Sequence, residues 1–164
     1  MVTKVEEVKN LVQLGIKEPK EAFPKIKLLA QSDDWKAREV AATCLVEIGK
    51  RRKQEVIAEA MLWANDDAAN IRRAAAEGLR DIARKDARAV LPILEKMKTD
   101  DSLYVRKAVA HILREASKSN YQLVLDLCQK WAGVRNPNTD WIIKDGMKKL
   151  PTKEQEILKS LMAE

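Results

Sequence analysis

Apolar residues recur at intervals of three and four along most of the chain, the spacing of one face of a helix. Ile71, Ala74, Ala75, Leu79 and Ile82 form one such face and predict a helix over 69–84. The same periodicity predicts helices over 4–14, 21–30, 55–63, 90–98, 102–118 and 152–162. Aspartates at 33–34, 66–67 and 100–101 stand just ahead of helices. Acidic groups there cap the first turn and complement the helix dipole, by a few tenths to ~1 kcal/mol. Pro92 sits near the start of its helix, where a missing N–H costs little.

The helices repeat with a fixed period. Segments 33–41, 69–75 and 103–109 superpose: Arg38, Arg72 and Arg106 are 34 residues apart, and so are Glu39, Arg73 and Lys107. A weaker copy occupies 140–145, with Lys144 placed 37 residues after Lys107 and the extra residues in the loop 133–138. A period of this length marks stacked helical pairs, each packed on its neighbours. The expected fold is all-α, an α–α superhelix of about five helical pairs in a single domain over 1–164. Its repeats fall at about 21–52, 54–86, 88–119 and 121–150, with helices 4–14 and 152–162 as caps.

Composition narrows the class. The 164 residues are 46% hydrophobic, which excludes intrinsic disorder, and 34% charged with only five Gly and five Pro, which suits helix throughout. Basic residues exceed acidic ones by 31 to 25, a formal charge of +6. Cys44 and Cys128 are too few for a disulfide framework or a zinc site, so no metal or other cofactor is expected. No apolar stretch is long enough to span a bilayer, and Lys4, Glu6, Glu7 and Lys9 leave residues 1–15 without the apolar core of a signal peptide. A soluble, cytoplasmic, monomeric protein with no membrane partner is expected.

Stacking decides where the charges go. Equivalent positions align, so Glu39, Arg73, Lys107 and Lys144 form one row, and Arg38, Arg72 and Arg106 form the row beside it. Both rows lie early in the second helix of each pair, the helix that lines the concave side of such arrays. A basic track there suits a phosphate backbone. The row of Arg38, Arg72 and Arg106 has a competing structural role, pairing with Asp67 or Asp101 of the neighbouring unit. Cations in the turns, at 50–53 and at Arg84, Lys85 and Arg88, lie along one edge, within reach of a second strand.

Trp35 and Glu39 are four residues apart and share a helix face. Glu39 is the one carboxylate in its otherwise cationic row. A negative group beside an aromatic face suits a positively charged substrate. The competing arrangement is a Glu39–Arg73 ion pair across units, with Trp35 as packing. Tyr104 and Trp141 occupy matching positions, to stack on sugar or base edges or to pack. Trp63 and Trp131 end first helices and are expected in the core. His111 follows Lys107 by four and shares its face. No Ser, Cys or His nucleophile arrangement and no phosphate-cradling Gly-rich loop is evident.

The run 70–80, Asn-Ile-Arg-Arg-Ala-Ala-Ala-Glu-Gly-Leu-Arg, resembles the DNA alkylation repair glycosylases of the AlkC/AlkD type, built from HEAT/armadillo-like repeats. So do 92–98, 102–110 and 112–118, and Trp141-Ile142-Ile143-Lys144 is similar to a terminal element of that family. The resemblance covers about 25–150. It implies hydrolysis of the N-glycosidic bond of positively charged alkylated purines in double-stranded DNA. It places the catalytic carboxylate at Glu39, the tryptophan four residues earlier at Trp35, and the backbone-binding arginine at Arg73. Glu77 resembles a carboxylate of the AlkC branch. Departures are the longer Glu39 where the AlkD branch has Asp, His111 where an aromatic is usual, and fewer N-terminal repeats. The sequence thus carries two functional readings, a DNA-binding repair protein that removes cationic bases and a protein–protein scaffold without catalysis. In the first reading, DNA contacts fall to Arg73, Lys107, Lys144, Arg38, Arg72, Arg106, Tyr104 and Trp141, with Glu77 and His111 as secondary candidates.

Overall fold

The structure is a computed structural model and describes residues 4–163; residues 1–3 and 164 of the expected domain lie outside the described residues. The helices are α1 (Lys4–Lys17), α2 (Pro19–Ala30), α3 (Trp35–Gly49), α4 (Lys53–Trp63), α5 (Ala69–Glu77), α6 (Arg80–Lys85), α7 (Ala87–Glu95), α8 (Leu103–Ala132), α9 (Pro137–Gly146) and α10 (Thr152–Ala163). A short 3-10 turn, Met147–Lys149, follows α9. No strand occurs among the described residues. The fold is the expected all-α superhelix of stacked helical pairs.

Packing follows the chain. α1 and α2 form a hairpin against α3, and α4 packs on α3 and α5. The second helices stack on one another, α3 on α5 and α6, and α5 and α6 on α8, while α9 packs on α8, with Gly146 against Leu113 and Asp145 bonded to Arg114. One apolar core runs through all these layers, from Ala22 and Ile26 through Leu45, Ile71 and Leu79 to Leu113, Ile143 and Leu158. Trp63 and Trp131 are fully within it, as expected. Each keeps its ring N–H bonded to a carboxylate, Trp63 Nε1 donating to Glu59 at 2.7 Å and Trp131 Nε1 to Glu95 at 2.5 Å. Burial of a large ring thus leaves no polar atom unsatisfied.

Two expected helices differ from the periodicity: that over 69–84 is divided, and that over 90–98 runs from Ala87 to Glu95, which places Pro92 inside it and not near its start. The helix expected over 69–84 is interrupted at Gly78 and Leu79, dividing it into α5 and α6. Leu79 has ψ of 0°, which opens the turn. Gly78 permits a close approach: a Cβ there would lie 2.7 Å from Cβ and Cδ1 of Leu45 on α3. By contrast, the helix expected over 102–118 ends close to that limit: α8 is two helices joined across a kink at Asn120, whose backbone is not helical (φ −160°, ψ 86°). Asn120 Oδ1 accepts from Leu123 N at 3.2 Å, so it caps the second half of α8 without a loop. Ser119 beside it donates to Ala83 O and accepts from Ala87 N, at 2.9 and 3.1 Å, which pins this break to the α6–α7 turn.

Candidate functional site

The site lies on the early turns of α3, α5 and α8. Each of these helices starts from an acidic turn, and the turn is tied down by one arginine. Arg38 Nη1 donates to Ser32 O at 2.7 Å. Arg72 Nη1 donates to Asp66 O and Asp67 O at 3.0 and 2.9 Å, and Arg106 Nη1 donates to Asp100 O and Asp101 O at 3.1 and 2.9 Å. The same guanidinium therefore closes the same loop at each step of the 34-residue period. Arg72 goes further and grips Asp100 of the next unit through Nε at 2.8 Å and Nη2 at 3.2 Å. Its inter-unit partner is thus chiefly Asp100, with Asp101 at 3.9 Å, and hydrogen bonding to Asp100 holds Arg72 above the usual arginine range. Asp66 is taken instead by Lys27 at 3.0 Å. The Arg106 guanidinium lies 5.5 Å from the centre of the Trp141 ring.

The first aspartates also serve the helix starts. Asp34 accepts from Lys36 N at 3.0 Å, Asp66 from Ala68 N at 2.9 Å and Asp100 from Ser102 N at 2.9 Å. The bond from the Ala68 backbone N–H, more than the Lys27 contact, holds the Asp66 carboxyl below the usual range. The aspartate pairs thus act as local backbone partners.

One residue further along, the next row behaves differently. Glu39, Arg73 and Lys144 make no side-chain hydrogen bond or ion pair among the described residues, and Lys107 contacts only the Tyr104 ring, at 5.9 Å. Glu39 and Arg73 face one cavity of about 300 Å³, completed by Trp35, Arg38, Asn70 and Tyr104. Three successive units contribute: α3 gives Trp35, Arg38 and Glu39, α5 gives Asn70 and Arg73, and α8 gives Tyr104. Trp35 and Tyr104 are 63% and 67% exposed, so their ring faces are open to a ligand. Ammonium groups of Lys4 and Lys36 each stand 6.0 Å from the centre of the Trp35 ring, so that face already attracts cations. The Glu39–Arg73 ion pair considered from the sequence is not formed.

Glu77 and His111 meet elsewhere on the same stack. Glu77 Oε2 lies 3.2 Å from His111 Nδ1, and His111 Nε2 lies 3.6 Å from Glu115 Oε1. Hydrogen bonding to Glu77 raises His111 above the ordinary histidine value, against an opposing effect of burial. Glu115 is buried, which pushes its carboxyl up, but bonds from Arg84 and Lys118 outweigh this and hold it below the usual range. Trp141, half-buried under Arg106, and Lys144, exposed on α9, lie outside the cavity. Several turn cations expected to point at a second strand are engaged within the chain. Arg52 donates to Ile16 O at 2.7 Å, Lys53 to Asp86 at 2.7 Å and Arg84 to Glu115 at 2.8 Å.

Asn70 and Lys4 belong to this site but were not visible as site residues in the sequence. The period held the signal for Asn70: Lys36, Asn70 and Tyr104 are 34 apart, so they form a third row beside the other two. Nothing in the sequence brings Lys4 to Trp35, because α1 stands outside the repeat. Among the described residues, no helix is long and apolar enough to cross a membrane, and no cluster of His, Cys, Asp or Glu is placed to hold a metal ion.

Comparison with known proteins gives two findings. None of the curated proteins matches the sequence. The structure is similar to the alkylpurine DNA glycosylase AlkC of Pseudomonas fluorescens, solved bound to DNA containing an abasic site analog, with a TM-score of 0.79 and 24% identity. That match takes in 95% of this chain and 45% of the glycosylase, so the chain spans less than half of that protein's length. It establishes the shared fold. Residues 23–114 match the model of HEAT repeats. That segment is more than half of the sequence and takes in α3 to α7 of the stack, so the chain belongs to the HEAT-repeat family.

Proposed function

We propose that the row Arg73, Lys107 and Lys144 holds the phosphate backbone of duplex DNA, and that the cavity between Trp35 and Tyr104 receives a cationic alkylated purine whose N-glycosidic bond is hydrolysed there. The observation that carries this reading is the unpaired Glu39 beside Arg73 and an exposed tryptophan in one cavity. A carboxylate left without an ion pair among so many cations is free to meet a positive charge brought by a ligand. The neighbouring row of Arg38, Arg72 and Arg106 fixes the turns that aim these side chains.

The chemistry asks little of the protein. An alkylated purine already bears positive charge and leaves with the electron pair of the glycosidic bond, so no strong general acid is required. Positive charge then builds at the anomeric carbon, where Glu39 stabilises it. Glu39 also orients a water whose oxygen bonds to that carbon while its proton passes to the carboxylate. Trp35 lies against the cationic ring. The fold shared with a DNA-bound glycosylase supports this reading.

Release of 3-methyladenine or 7-methylguanine from methylated duplex is the test. The wild type should release base, and Glu39→Gln should slow release by at least ~10²-fold, the scale for losing one electrostatic group, with duplex affinity retained. Binding without release sinks the catalytic part. Negligible affinity at low salt, where phosphate contacts are strongest, sinks the DNA reading and leaves the protein scaffold.

A further inference from the structure

We infer that the groove between α1 and α2 is a dimer interface, filled by the same groove of a second copy of this chain about a two-fold axis, in place of the monomer expected from the sequence. In a stacked array each layer is covered by the next, and an end layer needs a polar outer face. The α1–α2 layer lacks one. On α1, Val8, Leu11, Val12 and Leu14 pack against the core yet stay partly exposed, and Gly15 is the one fully buried residue of the helix. On α2, Leu28 is 70% exposed. Leu11, Leu28 and Leu29 line one open groove of about 560 Å³, larger than the cavity beside Glu39. This face is built like the interior of the stack while pointing outward. Apolar surface of that kind marks an interaction site.

Charge identifies the occupant. The polar residues of the groove are divided between its helices: α1 brings Glu7 and Asn10, and α2 brings Lys25. Glu7 and Lys25 line the same groove but make neither an ion pair nor a side-chain hydrogen bond among the described residues. Lys27 close by is, in contrast, paired with Asp66 at 3.0 Å. A surface with an anion on one side and a cation on the other complements itself. A two-fold axis running along the groove lays each α1 over the partner's α2, the self-complementary contact of a closed pair. Glu7 then meets the partner's Lys25, and Lys25 meets the partner's Glu7. Leu28 of each copy enters the apolar groove of the other. Both end layers become interior layers.

The opposite end of the array suits this groove less well. Ile157 is 41% exposed there, beside Lys153, Glu156, Ser160 and Leu161 of α10. The Glu156 carboxylate is already paired with Lys159 at 3.3 Å, so it is not free to meet Lys25. A head-to-tail contact would also leave an unclosed chain of copies, whereas two-fold pairing closes after two.

Sedimentation equilibrium of the whole chain over a concentration series tests this, with thermal unfolding as the check that each variant folds. The wild type should reach twice the 18.6 kDa of one chain and no more. Glu7→Lys and Lys25→Glu each set like charges at both symmetric contacts, and each should raise the dissociation constant at least ~10-fold. The double reversal should restore the dimer. So should a one-to-one mixture of the two single variants, because every contact across that pair again joins opposite charges. Leu28→Ser should weaken the dimer, and Ile157→Ser should leave it intact. A mass that stays at 18.6 kDa throughout overturns the inference. So does a mixture of the single variants that fails to pair, or an assembly that grows past two copies and is broken by Ile157→Ser, the mark of head-to-tail stacking.

Discussion

Arg72 and Arg73 are adjacent, identical in chemistry and opposite in use. The Arg72 side chain is 17% exposed, its partner Asp100 is 6% exposed, and its remaining donors close the turn before α5. Removing one member of such a pair leaves a buried charge uncompensated. Arg72→Ala should therefore lower unfolding stability by about 3 kcal/mol in denaturant titration, and Arg73→Ala by no more than ~0.5 kcal/mol. Equal costs for the two would sink this division. His111 gives a second prediction at this scale. Its folded pKa is raised by Glu77, so its stabilisation is full below the ordinary histidine value of about 6.5 and fades as pH rises through the higher folded value. The stability gap between the wild type and His111→Gln should accordingly be wider at pH 6 than at pH 9. At this scale the sequence shows which residues align, because alignment follows from the period. It does not show which are already spent. Arg38, Arg72 and Arg106 carry both a phosphate-binding and a structural reading in the sequence, and the carbonyl oxygens they bond are visible only in the structure.

The elements carry the same contrast between what a period reveals and what contact decides. The helical pairs and the turn aspartates are legible because amphipathic spacing and capping residues are local. The interruption of the second helix at Gly78 is not, since it depends on how closely α5 approaches Leu45 across the stack. Alanine is the better helix former by ~1 kcal/mol, so propensity alone would predict that Gly78→Ala stabilises. The structure predicts the reverse. The new Cβ would meet Leu45 Cβ, not the far end of a mobile side chain, and the misfit should cost about 1–3 kcal/mol in thermal unfolding. The kink at Asn120 within α8, by contrast, lies two residues beyond the helix end that the apolar pattern predicts.

For the whole molecule, the net charge of +6 matters less than the row that stays unpaired. If Arg73, Lys107 and Lys144 each hold a phosphate, replacing all three by alanine should flatten the slope of log affinity against log salt by about 2.7. The fold should persist, since none of the three bears an ion pair among the described residues. An unchanged slope would remove DNA from this face. The cavity also has a mechanical consequence. Trp35 and Tyr104 stand on units that are not neighbours, with α5 between them. Small rotations at two successive interfaces therefore add at the opening, which narrows or widens as the array coils. Such a cleft is a strain gauge for its own superhelix: any load that bends the stack changes the gap between the two rings.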